Sequence, residues 1–250
     1  MMRISEAVKH LLIINVIMFV GTISVGNGGA LFYDLFALHF PKNPAFEPWQ
    51  IITHMFMHGG ITHILFNMLA LWMFGVPVEH YLGWKKFLFI YLSAGLGAVA
   101  LQLGYYYFHF LPSYESLISS GITPSEISHM LSTGKAPDSI TQIQITELKN
   151  IFPVFNATMV GASGCIMGIL VAFGMMNPEA RLMLIFLPIP IKAKYFIPGI
   201  IILDLISGIT GRSFFSPSNT AYMAHVGGAL TGFIIMWYWK KTQFNKNRWY

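Results

Sequence analysis

Charged residues and cysteine are scarce in this sequence. Only 10% of the 250 residues are Asp, Glu, Lys or Arg, whereas 55% are hydrophobic. A soluble domain carries about 25% charged residues, so this composition is typical of a chain embedded in a membrane. The one cysteine, Cys165, excludes an intrachain disulfide and with it a secreted, disulfide-stabilised fold.

The excess of basic residues does not indicate a nucleic-acid partner. The formal net charge is +5, from 15 Lys and Arg against 10 Asp and Glu. These basic residues lie in short groups between apolar runs, which is the pattern that sets the topology of a membrane protein. We therefore expect the lipid bilayer, and no nucleic acid, to be the surroundings of this chain.

Six apolar runs approach the ~20 residues that a helix needs to cross a bilayer. None alternates with the period of two that a membrane β-barrel requires, and all are too long for strands. The first run has no signal-peptide cleavage site after it, so we expect it to be retained. The sequence predicts an all-α polytopic membrane protein, a single domain over residues 1–250 with a bundle of six transmembrane helices. The predicted helices are 10–26, 54–76, 87–109, 157–176, 194–211 and 220–239.

The distribution of basic residues predicts the orientation of the bundle. Eleven of the fifteen fall on the side that holds both termini, and the positive-inside rule makes this side cytoplasmic. Those eleven are Arg3, Lys9, Lys85, Lys86, Arg181, Lys192, Lys194, Lys240, Lys241, Lys246 and Arg248. Because no transit peptide precedes the first helix, we expect a bacterial plasma membrane, with an organelle membrane as the alternative.

Two long loops lie on the predicted outer side. Residues 27–53 contain an apolar patch that can form a short amphipathic helix in the interface or a loop folded over the bundle. Its members are Leu31, Phe32, Leu35, Phe36 and Phe40. Residues 110–156 are more polar, and Ser125-Glu126 after Thr123-Pro124 is typical of a helix start. We expect this second loop to be a surface elaboration without chemistry.

The second run is rich in polar side chains, which are costly inside a membrane and often functional. It contains His54, His58, His63 and Asn67. His63 and Asn67 are four residues apart, so they share one helix face. His54 and His58 fit a structural pair at the start of the helix better than a catalytic role. His63 and Asn67 can also be read as hydrogen-bonded ties between helices.

Glycines in the fourth and sixth runs predict a close helix contact. The fourth run contains Gly161-Ala162-Ser163-Gly164, and the sixth contains Ala224-His225 followed by Gly228 and Gly232. Two matching glycine faces would bring Ser163 next to His225. With Ser163 about seven residues and His225 about five residues inside their helices, both lie about 10 Å below the outer surface.

These residue types suit acyl transfer. A serine hydroxyl becomes a nucleophile when a base takes its proton, and His225 is the candidate base for Ser163. The Asn67 amide, the His63 ring and the Ser163 N–H are candidate donors to an oxyanion. Asp204 is the one acid within a predicted span, but the sequence does not place it near His225. We therefore predict a Ser–His dyad.

Three motifs in this order resemble those of the rhomboid intramembrane serine proteases. They are His63-xxx-Asn67 preceded by His54 and His58, then Gly161-Ala162-Ser163-Gly164, then Ala224-His225-xx-Gly228-xxx-Gly232. The resemblance implies Ser163 as nucleophile, His225 as base, and His63 with Asn67 in the oxyanion hole. It also implies cleavage of transmembrane-helix substrates near their outer ends without a metal or organic cofactor.

The sequence departs from the family pattern at two positions. Many members have Trp-Arg in the first outer loop, where this chain has Trp49-Gln50. Many bacterial members have an aromatic residue four positions after the nucleophile, where this chain has Met167. A thioether can pack on an imidazole, so we expect altered positioning of His225 rather than loss of activity.

Other interpretations remain at this point. Ser163 alone is a common kind of residue at a helix–helix contact, and Cys165, two residues on, is expected to be a packing residue. The histidines also allow a membrane haem or metal protein, although this class does not explain a serine between glycines. A third class is an inactive rhomboid-like protein that binds membrane helices without cutting them; such relatives typically lack the serine or the histidine, and this chain has both.

Overall fold

The computed structural model describes residues 4–184, 187–213 and 220–242. Ten α-helices lie in this part of the chain: α1 Glu6–Ser24, α2 Ala30–Phe36, α3 Gln50–Thr53, α4 Ile61–Leu82, α5 Trp84–Ser119, α6 Pro124–Thr133, α7 Gln142–Phe155, α8 Ser163–Met176, α9 Ala193–Thr210 and α10 Tyr222–Thr242. Two short 3-10 turns, Asn27–Gly29 and His54–Phe56, complete the helical elements.

Within the described ranges, four short strands form two antiparallel pairs. β1 (Leu38–His39) pairs with β2 (Thr158–Met159), with Leu38 opposite Met159. β3 (Arg181–Leu184) pairs with β4 (Leu187–Lys192). The first pair ties the segment after α2 to the segment just before α8, and so helps to fix where α8 begins.

Each of the six predicted spans overlaps one of the helices α1, α4, α5, α8, α9 and α10. Among the described residues, α1, α4, α5 and α9 are long and apolar enough to cross a membrane. α8 is apolar but has only 14 residues, and α10, with 21 residues, is not among those four. The protein is thus a membrane protein with several apolar helices, and a count of six spans stays a prediction. The orientation does too, and three of its basic residues, Arg3, Lys246 and Arg248, lie outside the described residues.

Two helix starts differ from the prediction by six or seven residues. The second long helix begins at Ile61, not at residue 54, because the chain forms a 3-10 turn over His54–Phe56 and is extended at Met57. The fourth begins at Ser163, not at residue 157, because the preceding residues pair as β2. Hydropathy does not predict these two breaks in the helices, because each lies within a run whose average composition is apolar.

Residues 110–156 are not the loop that the sequence predicts. α5 continues to Ser119, and α6 and α7 follow. The predicted helix start is confirmed, because Thr123 and Glu126 form a reciprocal capping box at the start of α6. A buried cluster holds this region together and includes Phe110, Leu117, Ile127, Leu131, Ile151 and Phe155. These apolar residues are spread among polar ones, so no continuous run marked them.

In residues 27–53 a short helix does form, α2. The other interpretation also holds for part of the patch, because Phe40 is buried against the bundle. Leu31 and Leu35 on this helix are exposed, at 52% and 41%. Their contact with a membrane interface stays a prediction.

The start of α1 is fixed by an acid on α4. Glu79 is buried, and its carboxylate accepts hydrogen bonds from the Ser5 hydroxyl and from the backbone N–H groups of Ala7 and Val8. The first N–H groups of a helix have no acceptor within the helix, so a carboxylate there stabilises the end. Glu79 therefore has a structural role.

Candidate active site

Ser163 is the first residue of α8. The first hydrogen bond of that helix runs from the Ile166 N–H to the Ala162 carbonyl. The N–H groups from Ser163 to Cys165 therefore lie at the positive end of the helix dipole without acceptors inside the helix. The prediction that Ser163 lies about seven residues inside its helix is wrong, because β2 occupies the preceding segment.

Gly161 sets the approach to this helix start. Its φ is +127°, a conformation that residues with a side chain rarely adopt, and its N–H donates to the His54 carbonyl at 2.9 Å. The His54 ring nitrogen Nδ1 lies 2.8 Å from the Gln50 carbonyl. His54 thus connects α3 to the backbone before Ser163, which supports the structural interpretation of this residue.

Ser163 and His225 meet. The Ser163 Oγ lies 2.9 Å from His225 Nε2, within hydrogen-bond distance. His225 is the fourth residue of α10, and the start of this helix is fixed by Gln102 on α5, whose side-chain oxygen accepts from the Ala224 N–H at 3.1 Å. The His225 side chain is only 13% exposed. A histidine placed in this way can take the serine proton.

The predicted contact between glycine faces is confirmed. A Cβ at Gly228 would collide with the backbone of Gly164, and a Cβ at Gly232 would lie 2.6 Å from the Gly168 Cα. Real Cβ atoms do not approach so closely, so α8 and α10 touch backbone to backbone at these positions. This contact brings the serine and the histidine into hydrogen-bond distance.

Asp204 on α9 reaches the other side of the histidine ring. Its Oδ2 lies 2.8 Å from His225 Nδ1, and its side chain is only 3% exposed. The prediction that no carboxylate reaches His225, on which the dyad depended, is therefore wrong. The sequence held one signal, an acid inside an apolar run, but hydropathy does not tell which face of α9 packs against α10.

His63 and Asn67 lie against the backbone that precedes Ser163. A Cβ at Gly161 would be 2.8 Å from His63 Nε2 and 3.7 Å from Asn67 Nδ2. Asn67 is buried, and among the described residues its Nδ2 has no hydrogen-bond partner. His63 Nδ1 accepts a long hydrogen bond, 3.4 Å, from the Gly59 N–H, which leaves Nε2 to carry the proton. Two donors thus face the start of α8.

His58 is fully buried and packs edge-on against His63, with 5.0 Å between ring centroids. It therefore contacts a candidate oxyanion residue rather than Ser163. Cys165 is buried and would touch a Cβ placed at Gly95 of α5, which supports the packing interpretation.

The two departures from the family pattern have structural contexts. Gln50 is fully buried; its Nε2 donates to the carbonyls of Asp34 and Ala45, and its Oε1 accepts from the His39 N–H. It thus ties together the segment before α4. Met167, one turn after Ser163, is buried in a cluster with Ala229 of α10. Its packing on the His225 ring stays a prediction.

The Rhomboid domain family matches residues 45–242, most of the chain. The chain belongs to the rhomboid family. The presenilin-associated rhomboid-like protein, mitochondrial, of Homo sapiens is 28% identical over 203 residues, and presenilin-associated rhomboid-like protein A, mitochondrial, of Danio rerio is 27% identical over the same length. Each alignment covers 80% of this chain and 40% or 39% of the relative. The rhomboid protease GluP of Bacillus subtilis is 47% identical over 55 residues, 22% of this chain and 11% of GluP.

This rhomboid family chain thus spans well under half the length of these relatives. The two relatives aligned over 203 residues are named as mitochondrial, so they do not support the predicted bacterial plasma membrane. Over the described ranges, no group of three or more His, Cys, Asp or Glu residues is arranged to hold a metal ion. The metal-protein interpretation therefore has no supporting geometry there.

Proposed function

We propose that this protein is an intramembrane serine endopeptidase that hydrolyses peptide bonds of transmembrane-helix substrates near the outer membrane face. The observation that carries this proposal is the 2.9 Å approach of Ser163 Oγ to His225 Nε2 at the start of α8. Membership of the rhomboid family and the similarity to GluP, which is named a rhomboid protease, support it.

The proposed reaction has two halves. His225 Nε2 takes the hydroxyl proton while Ser163 Oγ attacks the carbonyl carbon of the scissile bond. The tetrahedral intermediate collapses, the C–N bond breaks, and the amine leaves with the proton from His225. Water then attacks the acyl-serine ester, again with His225 as base, and releases the acid and Ser163.

The negative charge on the intermediate's oxygen needs donors. The Asn67 amide, the His63 Nε2–H and the N–H groups at the start of α8 are suited to this role, because all three lie around Gly161 and Ser163. Donors fixed in place before the reaction stabilise the transition state without reorganisation. The Asn67 Nδ2 is buried and has no hydrogen-bond partner in the part of the chain that the structure describes, which is what such a site requires before substrate binds.

The proposed substrate, a transmembrane helix, follows from the resemblance of the sequence motifs to those of the rhomboid proteases. A substrate helix would approach laterally, near α4 and α9, and unwind locally so that its backbone reaches Ser163. Six transmembrane helices with cytoplasmic termini would place the starts of α4, α8 and α10 on the outer side, since these three helices run in the same direction.

The first test is labelling of the detergent-purified protein with a fluorophosphonate, together with cleavage of a reporter transmembrane helix in liposomes. Ser163→Ala and His225→Ala should each abolish both signals. Ser207→Ala is the matched control, because Ser207 is a buried serine on α9 whose hydroxyl donates to the Leu203 carbonyl. It should retain both signals.

Folded wild-type protein that is neither labelled nor able to cut any reporter would contradict the proposal. The protein would then be a rhomboid-like protein that binds membrane helices without cleaving them, the alternative that the sequence left open. Failure of labelling alone would not be enough, since the segments over the site can bar the probe.

A further inference from the structure

We propose that Asp204 is a positioning residue that holds the His225 ring with its Nδ1 proton toward α9 and its Nε2 lone pair toward Ser163. The reaction would then use three side chains rather than two. This inference rests on the proposed function, and one arm of its test does not depend on turnover.

The two distances fix the tautomer that the site needs. His225 Nδ1 lies 2.8 Å from Asp204 Oδ2, and His225 Nε2 lies 2.9 Å from Ser163 Oγ. A neutral imidazole carries one proton, and an ionised carboxylate can only accept. A His225 that is to act as base must be neutral, and beside an ionised Asp204 its one proton sits on Nδ1 and is donated to the carboxylate, which leaves Nε2 free to accept from the Ser163 hydroxyl. The opposite tautomer would place two acceptors face to face and leave His225 unable to act as base.

Burial strengthens the interaction between Asp204 and His225. Asp204 is 2% exposed within an apolar helix, and a buried carboxylate is strongly unfavourable unless it is paired and hydrogen-bonded. When His225 takes the serine proton it becomes an imidazolium next to Asp204, so the attraction between the two side chains grows in the transition state. An interaction that strengthens in this way accelerates the reaction.

The position of Asp204 is fixed by its neighbours. One turn further along α9, the Gly208 carbonyl accepts a hydrogen bond from the Tyr105 hydroxyl of α5 at 3.0 Å. A Cβ on Gly208 would lie 2.7 Å from a Met223 side-chain atom, so α9 packs closely on the first turn of α10. One turn from Asp204, α9 is thus fixed against both α5 and α10, and this packing keeps Asp204 next to His225.

A purely structural role has to be separated from this one, because Asp204 would also tie α9 to α10. Asp204→Asn keeps the size of the side chain, and Asp204→Ala removes its polar group. Ser207→Ala, one turn away on the same helix, is the matched control for packing. If Asp204 positions His225, both Asp204 variants should lower kcat by about 10⁴-fold, the loss seen when the same group is changed in soluble serine proteases, with little change in KM.

The second arm reads the tautomer directly by NMR of the protein labelled with 15N-histidine, with the His225 signals assigned by their loss in His225→Gln. The ring-nitrogen shifts should show the Nδ1–H form in the wild type and in Ser207→Ala, and a shift toward the Nε2–H form in Asp204→Ala. Thermal unfolding in detergent checks that each variant is folded.

The outcomes separate the two proposals. A wild type without turnover overturns the proposed function, and the tautomer measurement then still decides the role of Asp204. The inference is overturned if His225 has the same tautomer with and without the carboxylate. It is also overturned if folded Asp204→Ala retains turnover close to that of Ser207→Ala.

Discussion

Asn67 offers a test in which activity and stability respond differently. If its amide is an oxyanion donor, Asn67→Ala should lower kcat by about 10²–10³-fold, which corresponds to about 2.7–4 kcal/mol of transition-state stabilisation. Ser163→Ala should abolish turnover altogether. The loss should appear in kcat rather than in KM, since the donor acts only once charge develops on the substrate oxygen.

The expected effect on stability follows from the orphaned amide nitrogen. Asn67 Nδ2 is buried and, within the described residues, has no hydrogen-bond partner. Burying such a group without compensation costs about 1–3 kcal/mol. Asn67→Ala removes this cost but also removes packing atoms, so the two effects oppose and the free energy of unfolding should change by less than about 1 kcal/mol.

Asn43, in the segment before α3, is the control with a satisfied amide. Its Nδ2 donates to the Phe155 carbonyl at 2.9 Å, and its Oδ1 accepts from the Ala45 N–H at 2.9 Å. Asn43→Ala should therefore lower the free energy of unfolding by about 1 kcal/mol and leave kcat unchanged.

The assay pairs cleavage of a reporter helix in liposomes with thermal unfolding in detergent. Wild-type turnover in Asn67→Ala would refute the oxyanion role. A loss of stability in Asn67→Ala as large as that in Asn43→Ala would refute the reasoning about the orphaned donor, because it would mean that the Asn67 amide is already satisfied.

Three further perturbations test the helix contact, the first segment and a surface charge. Gly228→Val should force α10 away from Gly164 and abolish fluorophosphonate labelling, whereas Gly104→Ala, with open space around it, should not. Gln50→Ala should lower the free energy of unfolding by about 1–3 kcal/mol, measured by thermal unfolding, because several buried hydrogen bonds lose their partner. Hydrogen bonds from Lys192 and Lys194 lower the pKa of the exposed Glu179 carboxyl from 4.5 to about 2. The small stabilisation from Glu179 should therefore be present above pH 4.5 and lost as the pH falls toward 2; Glu179→Gln should remove this acid dependence of the unfolding midpoint.

Much of the helical framework could be predicted from hydropathy, because a run of apolar residues is a direct requirement of a lipid-exposed helix. The pairing of Ser163 with His225 could be predicted too, since glycines at Gly164, Gly168, Gly228 and Gly232 allow one close packing of α8 on α10. Both arguments use local patterns.

Helix starts could not be predicted in the same way. The segment before Ser163 is as apolar as the helix that follows, yet it forms β2 because Leu38 and His39 offer it a strand partner more than a hundred residues away in sequence. Gly161 then turns the chain at a φ of +127°. The result matters for chemistry, because it puts the nucleophile at a helix N-terminus rather than in a helix interior.

The contact between Asp204 and His225 could not be predicted from average hydropathy, but it could be predicted from the residues that share one face of α9. On α9, Asp204, Ser207 and Gly208 recur at spacings of three and four residues, so they share one face of the helix. Small residues on this face predict a close neighbour, and a buried acid there requires a hydrogen-bond donor on that neighbour. Asp204 lies in the second half of the fifth apolar run, and the sixth run contains a single histidine, His225, near its start. Antiparallel packing of consecutive helices would place the two at similar depth. The spacing of polar and small residues within an apolar run, together with the direction of the two helices, therefore predicts the pairing of Asp204 with His225. Average hydropathy does not.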